Sequence, residues 1–156
     1  MTRDNPDAAA VVRRHTTAEL LWGHRTAQAL GISPTEFATL NIISLEDDVT
    51  ASDLSRITGL SPAAVTRMVD RLVDRGFVAR RPNPADRRQT HLVRTAAWQA
   101  EIEATVEPRR QVMRDALAEL PPEGRAAVIR WMAAETPLLR DIVVGDAPHG
   151  DDATAG

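Results

Sequence analysis

The sequence predicts a mostly α-helical fold that carries one small β-hairpin, and three observations predict it. Apolar residues recur at helical spacing along most of the chain. Helix starts are marked by caps such as Ser33-Pro34-Thr35-Glu36 and Ser61-Pro62. Strand-like residues are confined to 77–79 and 91–94, on either side of the turn-forming Pro82-Asn83-Pro84-Ala85-Asp86. At 156 residues, 43% hydrophobic and 26% charged, the chain is long enough to bury one core without cross-links.

The elements follow in order. Residues 1–7 are a polar tail, and 8–30 are rich in helix formers with Gly31 as the expected stop, giving an N-terminal helical segment over 8–32. The capping box at Ser33 opens a second helix with Phe37, Leu40 and Ile43 on one side. Thr50-Ala51-Ser52-Asp53 starts a short helix that ends near Gly59, and Ser61-Pro62 starts another that runs over 62–75 to Gly76. Two short helices joined around a glycine form a helix-turn-helix, and a hairpin directly after one is a wing, here over 77–95. Residues 96–119 read as a helix that Pro108 should kink or interrupt. Pro121-Pro122 forces a break before a last helix over 123–144, which Pro137 should bend. Val128, Ile129, Met132, Leu139, Ile142 and Val143 fall largely on one of its faces. Residues 145–156 form a second polar tail.

Charge narrows the function. The net charge is −3, but residues 51–95 carry nine arginines and four acids, a net of +5, against −8 for the rest. All 19 basic residues are arginine. This split points to an anion-binding module on an acidic body, with chance clustering on a solvated face as the plain alternative. The absence of cysteine excludes disulfides, thiolate metal sites and thiol redox sensing. His15, His24, His91 and His149 never reach metal-ligand spacing, so neither metal nor cofactor is expected. No apolar run approaches a membrane span and no signal-peptide core is present, so a cytoplasmic protein with no membrane partner is expected.

In the 62–75 helix, Val65, Met68, Val69 and Leu72 form the stripe to be buried. The opposite face centres on Ala63, Arg67, Asp70 and Asp74, flanked by Thr66 and Arg71. Short residues and an arginine in the first two turns suit a helix that enters the DNA major groove N-terminus first, with Arg67 aimed at a guanine edge. Asp70, Asp74, Arg71 and Arg75 are expected instead to make i,i+4 pairs on the surface. At the hairpin tip, Asp86-Arg87-Arg88 places two guanidiniums where a narrow minor groove would attract them, with Asp86 orienting Arg88. Taken alone, that triplet reads equally as a surface salt bridge worth under about 1 kcal/mol.

These residues together resemble the MarR family of transcriptional regulators. The stretch that carries the resemblance is LSPAAVTRMVDRLVDRGFVARRPNPADRRQTHLVRT, residues 60–95. It is similar to the family in its recognition helix, its Arg-Gly-aromatic exit into the wing, its Asp-x-Arg wing motif and the downstream threonine. The order of elements extends the resemblance over 8–144. It implies a winged helix-turn-helix DNA-binding domain over 33–95, with the helices of 8–32 and 96–144 forming a dimerisation lobe. It implies major-groove contact by Ser61, Ala63, Thr66 and Arg67, and minor-groove contact by Arg88, with Arg87 nearby. The second wing strand departs from the family pattern: Arg94 stands where the second aliphatic residue is usual. Either the inner packing of that strand changes or Arg94 reaches a phosphate.

The resemblance further implies a homodimer that reads an inverted-repeat operator in double-stranded DNA, acting as a repressor released by a small molecule. Trp22, Arg25, Phe37 and Trp98 are the candidate effector pocket, an aromatic wall with one cation that suits an aromatic carboxylate or phenolate. The alternative places both tryptophans in the dimer core. Two other function classes compete: a scaffold that keeps the fold but binds DNA weakly, which Arg67 and Arg88 argue against, and an enzyme. The sequence has no GxSxG, HExxH, Walker or GxGxxG pattern, and His15, Glu19 and His24 lack a nucleophile, so no enzymatic activity is expected.

Overall fold

The computed structural model describes residues 7–46, 48–83 and 89–144. They form α1 (Ala8–Ala29), α2 (Pro34–Leu45), α3 (Ala51–Thr58), α4 (Pro62–Asp74), β1 (Val78–Pro82), β2 (Thr90–Arg94), α5 (Ala96–Ala118) and α6 (Pro122–Val144). This is a mostly helical winged helix with a two-stranded antiparallel sheet. The expected tails at 145–156 and in all but the last residue of 1–7 lie outside the described residues, as do Asp86, Arg87 and Arg88.

Local chemistry sets the helix starts. At α2, the Ser33 amide donates to Glu36 Oε2 at 2.8 Å while the Ser33 hydroxyl accepts from the Glu36 amide at 3.2 Å, closing the capping box. Thr50 and Asp53 do the same for α3. Ser61 caps α4 ahead of a proline at the first helical position, and Thr95 caps α5. Two of the helix ends share one geometry. After α1, Ile32 N–H bonds Ala27 O and Gly31 N–H bonds Gln28 O, with Gly31 at φ 65°. After α4, Phe77 N–H bonds Leu72 O and Gly76 N–H bonds Val73 O, with Gly76 at φ 73°. Both are Schellman endings, which require the left-handed backbone that glycine adopts without strain.

The buried stripe of α4 is Val65, Met68, Val69 and Leu72, as its spacing predicts, and it packs into one hydrophobic cluster. That cluster joins α1 (Ala27), α2 (Phe37, Leu40, Ile43), α3 (Leu54), the hairpin (Val78, Leu92) and α5 (Trp98, Ile102, Val106). The wing root also has a third pairing segment that the sequence pattern did not signal. Leu92 N–H donates to Val49 O at 2.8 Å, and Thr50 bridges His91 in antiparallel sense. This explains why His91 and Leu92 are both buried despite being neighbours in a strand: Leu92 faces the core, and His91 Nδ1 meets Asp48 Oδ1 at 2.8 Å.

Both α5 and α6 run through their internal prolines, Pro108 and Pro137, so the interruption expected as one outcome at Pro108 does not occur. A proline removes one N–H donor and strains one turn at a cost of about 3 kcal/mol, which a long helix with good flanking residues absorbs. Around Pro108, Arg114 bonds Glu107 and Gln111 bonds Asp115, reinforcing the turns that follow.

Candidate nucleic-acid interface

The exposed face of α4 presents Ala63, Thr66, Arg67, Asp70 and Asp74, with Ser61 at its head. Two of these carry hydroxyls already engaged with the helix. The Ser61 side chain accepts from Ala64 N–H at 3.3 Å, and the Thr66 hydroxyl donates to Pro62 O at 2.9 Å. Both side chains are thereby held in one rotamer, with remaining lone pairs and the Thr66 methyl free to meet a base edge. Arg67 is exposed and makes no hydrogen bond or ion pair among the described residues.

Arg81 of β1 is likewise exposed and unbonded among the described residues, whereas the other described arginines of the basic block are bonded. Arg71 Nε donates to Glu36 Oε1 at 2.8 Å, tying α4 to α2. Arg75 reaches the carbonyls of Gly31 and Leu30, and Arg80 pairs with Asp70 at 2.7 Å, joining the wing to α4. Arg56 pairs with Asp53 within α3. The expected i,i+4 pairs among Asp70, Asp74, Arg71 and Arg75 do not form. The reason is in the spacing: four residues apart stand Asp70 with Asp74 and Arg71 with Arg75, which are like charges. Asp70, Arg71 and Arg75 bond to other elements of the fold instead.

Arg94 is exposed opposite Val78 and donates to Gln99 Oε1 at 3.0 Å in the first turn of α5. The inner face of the strand is supplied by Leu92 instead, so the departure at Arg94 leaves its packing intact.

Glu36 is the one buried acid among the described residues. Its side chain is 9% exposed. Burial pushes its carboxyl up, but the Ser33 amide and the Arg71 guanidinium more than offset this, so the net direction is below the usual carboxylate value. Asp53 is lowered in the same direction, chiefly by the Thr50 hydroxyl and amide.

Sequence reasoning missed a cleft of about 420 Å³ between the first turns of α3 and α4, lined by Ala51, Ser52, Ser55, Arg56, Pro62 and Thr66. Two helix N-termini open beside it, and such termini offer free N–H groups and positive dipole to a phosphate. The signal was present in the two helix-start motifs, Thr50 to Asp53 and Ser61-Pro62, which lie close together in the chain.

The four candidate effector residues are not brought into one cluster. Trp22 meets Phe37 edge-on with ring centroids 5.8 Å apart. The cation over Trp22 is Arg109 of α5, 4.8 Å from the ring centroid and bonded to Glu19 of α1, whereas Arg25 is exposed. Trp98 packs on Phe77 at 5.1 Å and is 1% exposed, which makes it part of the domain core.

The chain is similar in sequence and in fold to known proteins. The model of the MarR family matches residues 30–89. The chain is 30% identical over 134 residues to the uncharacterised HTH-type transcriptional regulator YcgE of Bacillus subtilis, covering 86% of this chain and 87% of that one. Its fold is similar to that of the transcriptional regulator Tm0710 of Thermotoga maritima, with a TM-score of 0.61, 26% identity, and 84% and 92% of the two chains covered. It is also similar in fold to a mutant of MarR from E. coli complexed with operator DNA, with a TM-score of 0.53, 22% identity, and 82% and 91% covered. Among the described residues, no helix is long and apolar enough to cross a membrane.

Proposed function

Since the chain belongs to the MarR family of DNA-binding transcriptional regulators, we propose that it acts as a homodimeric repressor on an inverted-repeat operator and is released by a small aromatic anion. The observation that carries the DNA-reading part is Arg67. It is the only arginine of α3 and α4 left without a bond among the described residues, and it lies on the exposed face of α4 beside small side chains. A free guanidinium there is suited to guanine O6 and N7, while Ser61, Ala63 and Thr66 allow close approach. The cleft between α3 and α4 receives a backbone phosphate. Arg88 enters the minor groove with Arg87 nearby and Asp86 orienting it, a role that rests on the wing motif.

The dimer is supported by apolar side chains left in solvent on three helices. Leu20 and Leu21 on α1, Val112 on α5, and Trp131, Leu138 and Leu139 on α6 are all exposed, Leu20 by 71%. Large apolar side chains left in solvent on three helices suit an interface, and a two-fold dimer sets two recognition helices about one DNA turn apart. Bound across a promoter, such a dimer occludes it. For the effector, Trp22 and Phe37 with Arg109 supply an aromatic edge and a cation at the seam between α1 and α5. A ligand there weakens DNA binding only if it prefers the unbound arrangement of the dimer.

The test is selection of duplexes from a random library by the purified protein, followed by anisotropy titration of the winning duplex at several salt concentrations. The expected result is an inverted repeat bound with a Kd of about 10⁻⁸ M or tighter. Weak binding with no enriched sequence would refute the regulator reading in favour of a scaffold.

A further inference from the structure

Arg75 is the C-cap of the recognition helix, yet its side chain serves a different helix. Its Nη1 donates to Gly31 O at 2.6 Å and its Nη2 to Leu30 O at 2.8 Å, and its guanidinium lies 4.9 Å from the Phe77 ring centroid. The two acceptors belong to the closing turn of α1, which has no basic residue of its own in its last turn. A helix C-terminus exposes carbonyls and negative dipole, so α1 takes its terminal cation from α4. The two-pronged geometry fixes direction as well as distance, which a single ammonium does not.

The same end of α4 also holds α5. The Thr95 hydroxyl donates to Gly76 O, and Thr95 N–H donates to Phe77 O at 3.1 Å. The Thr95 hydroxyl in turn accepts from Trp98 N–H and so caps α5. The end of α1, the end of α4 and the start of α5 therefore meet in one knot. α1 and α5 join again at Glu19 and Arg109, and both carry exposed apolar residues.

We propose that Arg75 is a positioning residue that fixes the angle of the recognition helix to the helices of the dimer lobe, and so sets the half-site spacing the dimer accepts. The inference rests on the dimeric, inverted-repeat reading above. Leverage makes it measurable. α4 has 13 residues, about 20 Å at 1.5 Å per residue. A tilt of about 10° at its C-terminal end therefore moves its N-terminal end by about 3 Å, close to one base-pair step.

The test uses the full chain and three duplexes that carry the selected half-sites at the preferred spacing, one base pair shorter and one longer. For the wild type, the off-spacing duplexes are expected to bind about tenfold more weakly, since each added pair rotates a half-site by about a tenth of a turn. In Arg75→Met this ratio should fall below about threefold, with base preference inside each half-site unchanged because Arg67 is intact. A merely structural role would weaken all three duplexes by one factor and leave the ratio as it was, and that result overturns the proposal. Arg75→Lys, with one ammonium for two carbonyls, should give an intermediate ratio. It replaces the methionine variant if that does not fold, and an unchanged ratio there overturns the proposal equally. A wild type without any preferred spacing would refute the dimeric reading itself, and the inference with it.

Discussion

Glu36→Gln isolates the charge that joins the recognition helix to the body of the domain. Glu36 commits one oxygen to the Ser33 amide and the other to Arg71 Nε, each at 2.8 Å. Glutamine has a single carbonyl oxygen, so one of those two donors must face an NH2 group and lose its bond. A charge-assisted hydrogen bond contributes about 1.5–3 kcal/mol. The Arg71 side chain is 60% exposed, and solvent screening puts the cost toward the lower end, about 2 kcal/mol at pH 7. The pH dependence supplies the sharper test. The folded carboxyl lies below its ordinary value, so its contribution is fully present above about pH 4.3 and is lost as pH falls through the folded pKa. The gap between wild type and Glu36→Gln should therefore narrow in acid, because a protonated glutamic acid also lacks the charge. Urea unfolding at pH 7 and at about pH 3 measures both numbers. An equal gap at the two pH values would refute the ionic account of this contact.

Other expected outcomes are simpler. Arg67→Ala should cost about 1–3 kcal/mol on the selected operator and relax base preference within each half-site; equal weakening on all sequences would mean that it contacts only backbone. Arg88→Ala should lower the slope of log affinity against log salt by about 1, and an unchanged slope in the same titrations would remove the wing from the interface. Truncation after residue 121 deletes α6 with its exposed Trp131, Leu138 and Leu139, and sedimentation should then show a monomer or aggregate; a stable dimer would place the interface elsewhere.

What was legible in the sequence was local in origin. The caps at Ser33, Thr50 and Ser61 act within three residues, so their motifs and their hydrogen bonds coincide. The stripe of Val65, Met68, Val69 and Leu72 follows from periodicity alone. What was not legible depends on partners distant in sequence. Nothing near Arg71 or Arg75 in the chain announces Glu36 or the end of α1, so their side chains looked like ordinary surface charge. Trp98 resembled a ligand contact because composition says that a tryptophan must be used, not where; its partner Phe77 is supplied by the chain reversal through the wing. The pairing of Val49 and Thr50 with the hairpin escaped notice because two residues offer no alternation to read.

That short pairing has a consequence for how the lobe opens and closes. The segment before α3 and the second strand of the wing are stitched together by Leu92 N–H and Val49 O, so the helix-turn-helix is enclosed between two pieces of one backbone ladder. Fraying of the hairpin alone does not break the Leu92 amide's bond, because its acceptor lies in the segment before α3 rather than in β1, and its side chain is in the core. Its exchange with deuterium should therefore be slower than that of amides farther out along the hairpin, which open locally. One backbone proton should thus report whether the segment before α3 stays paired with the wing.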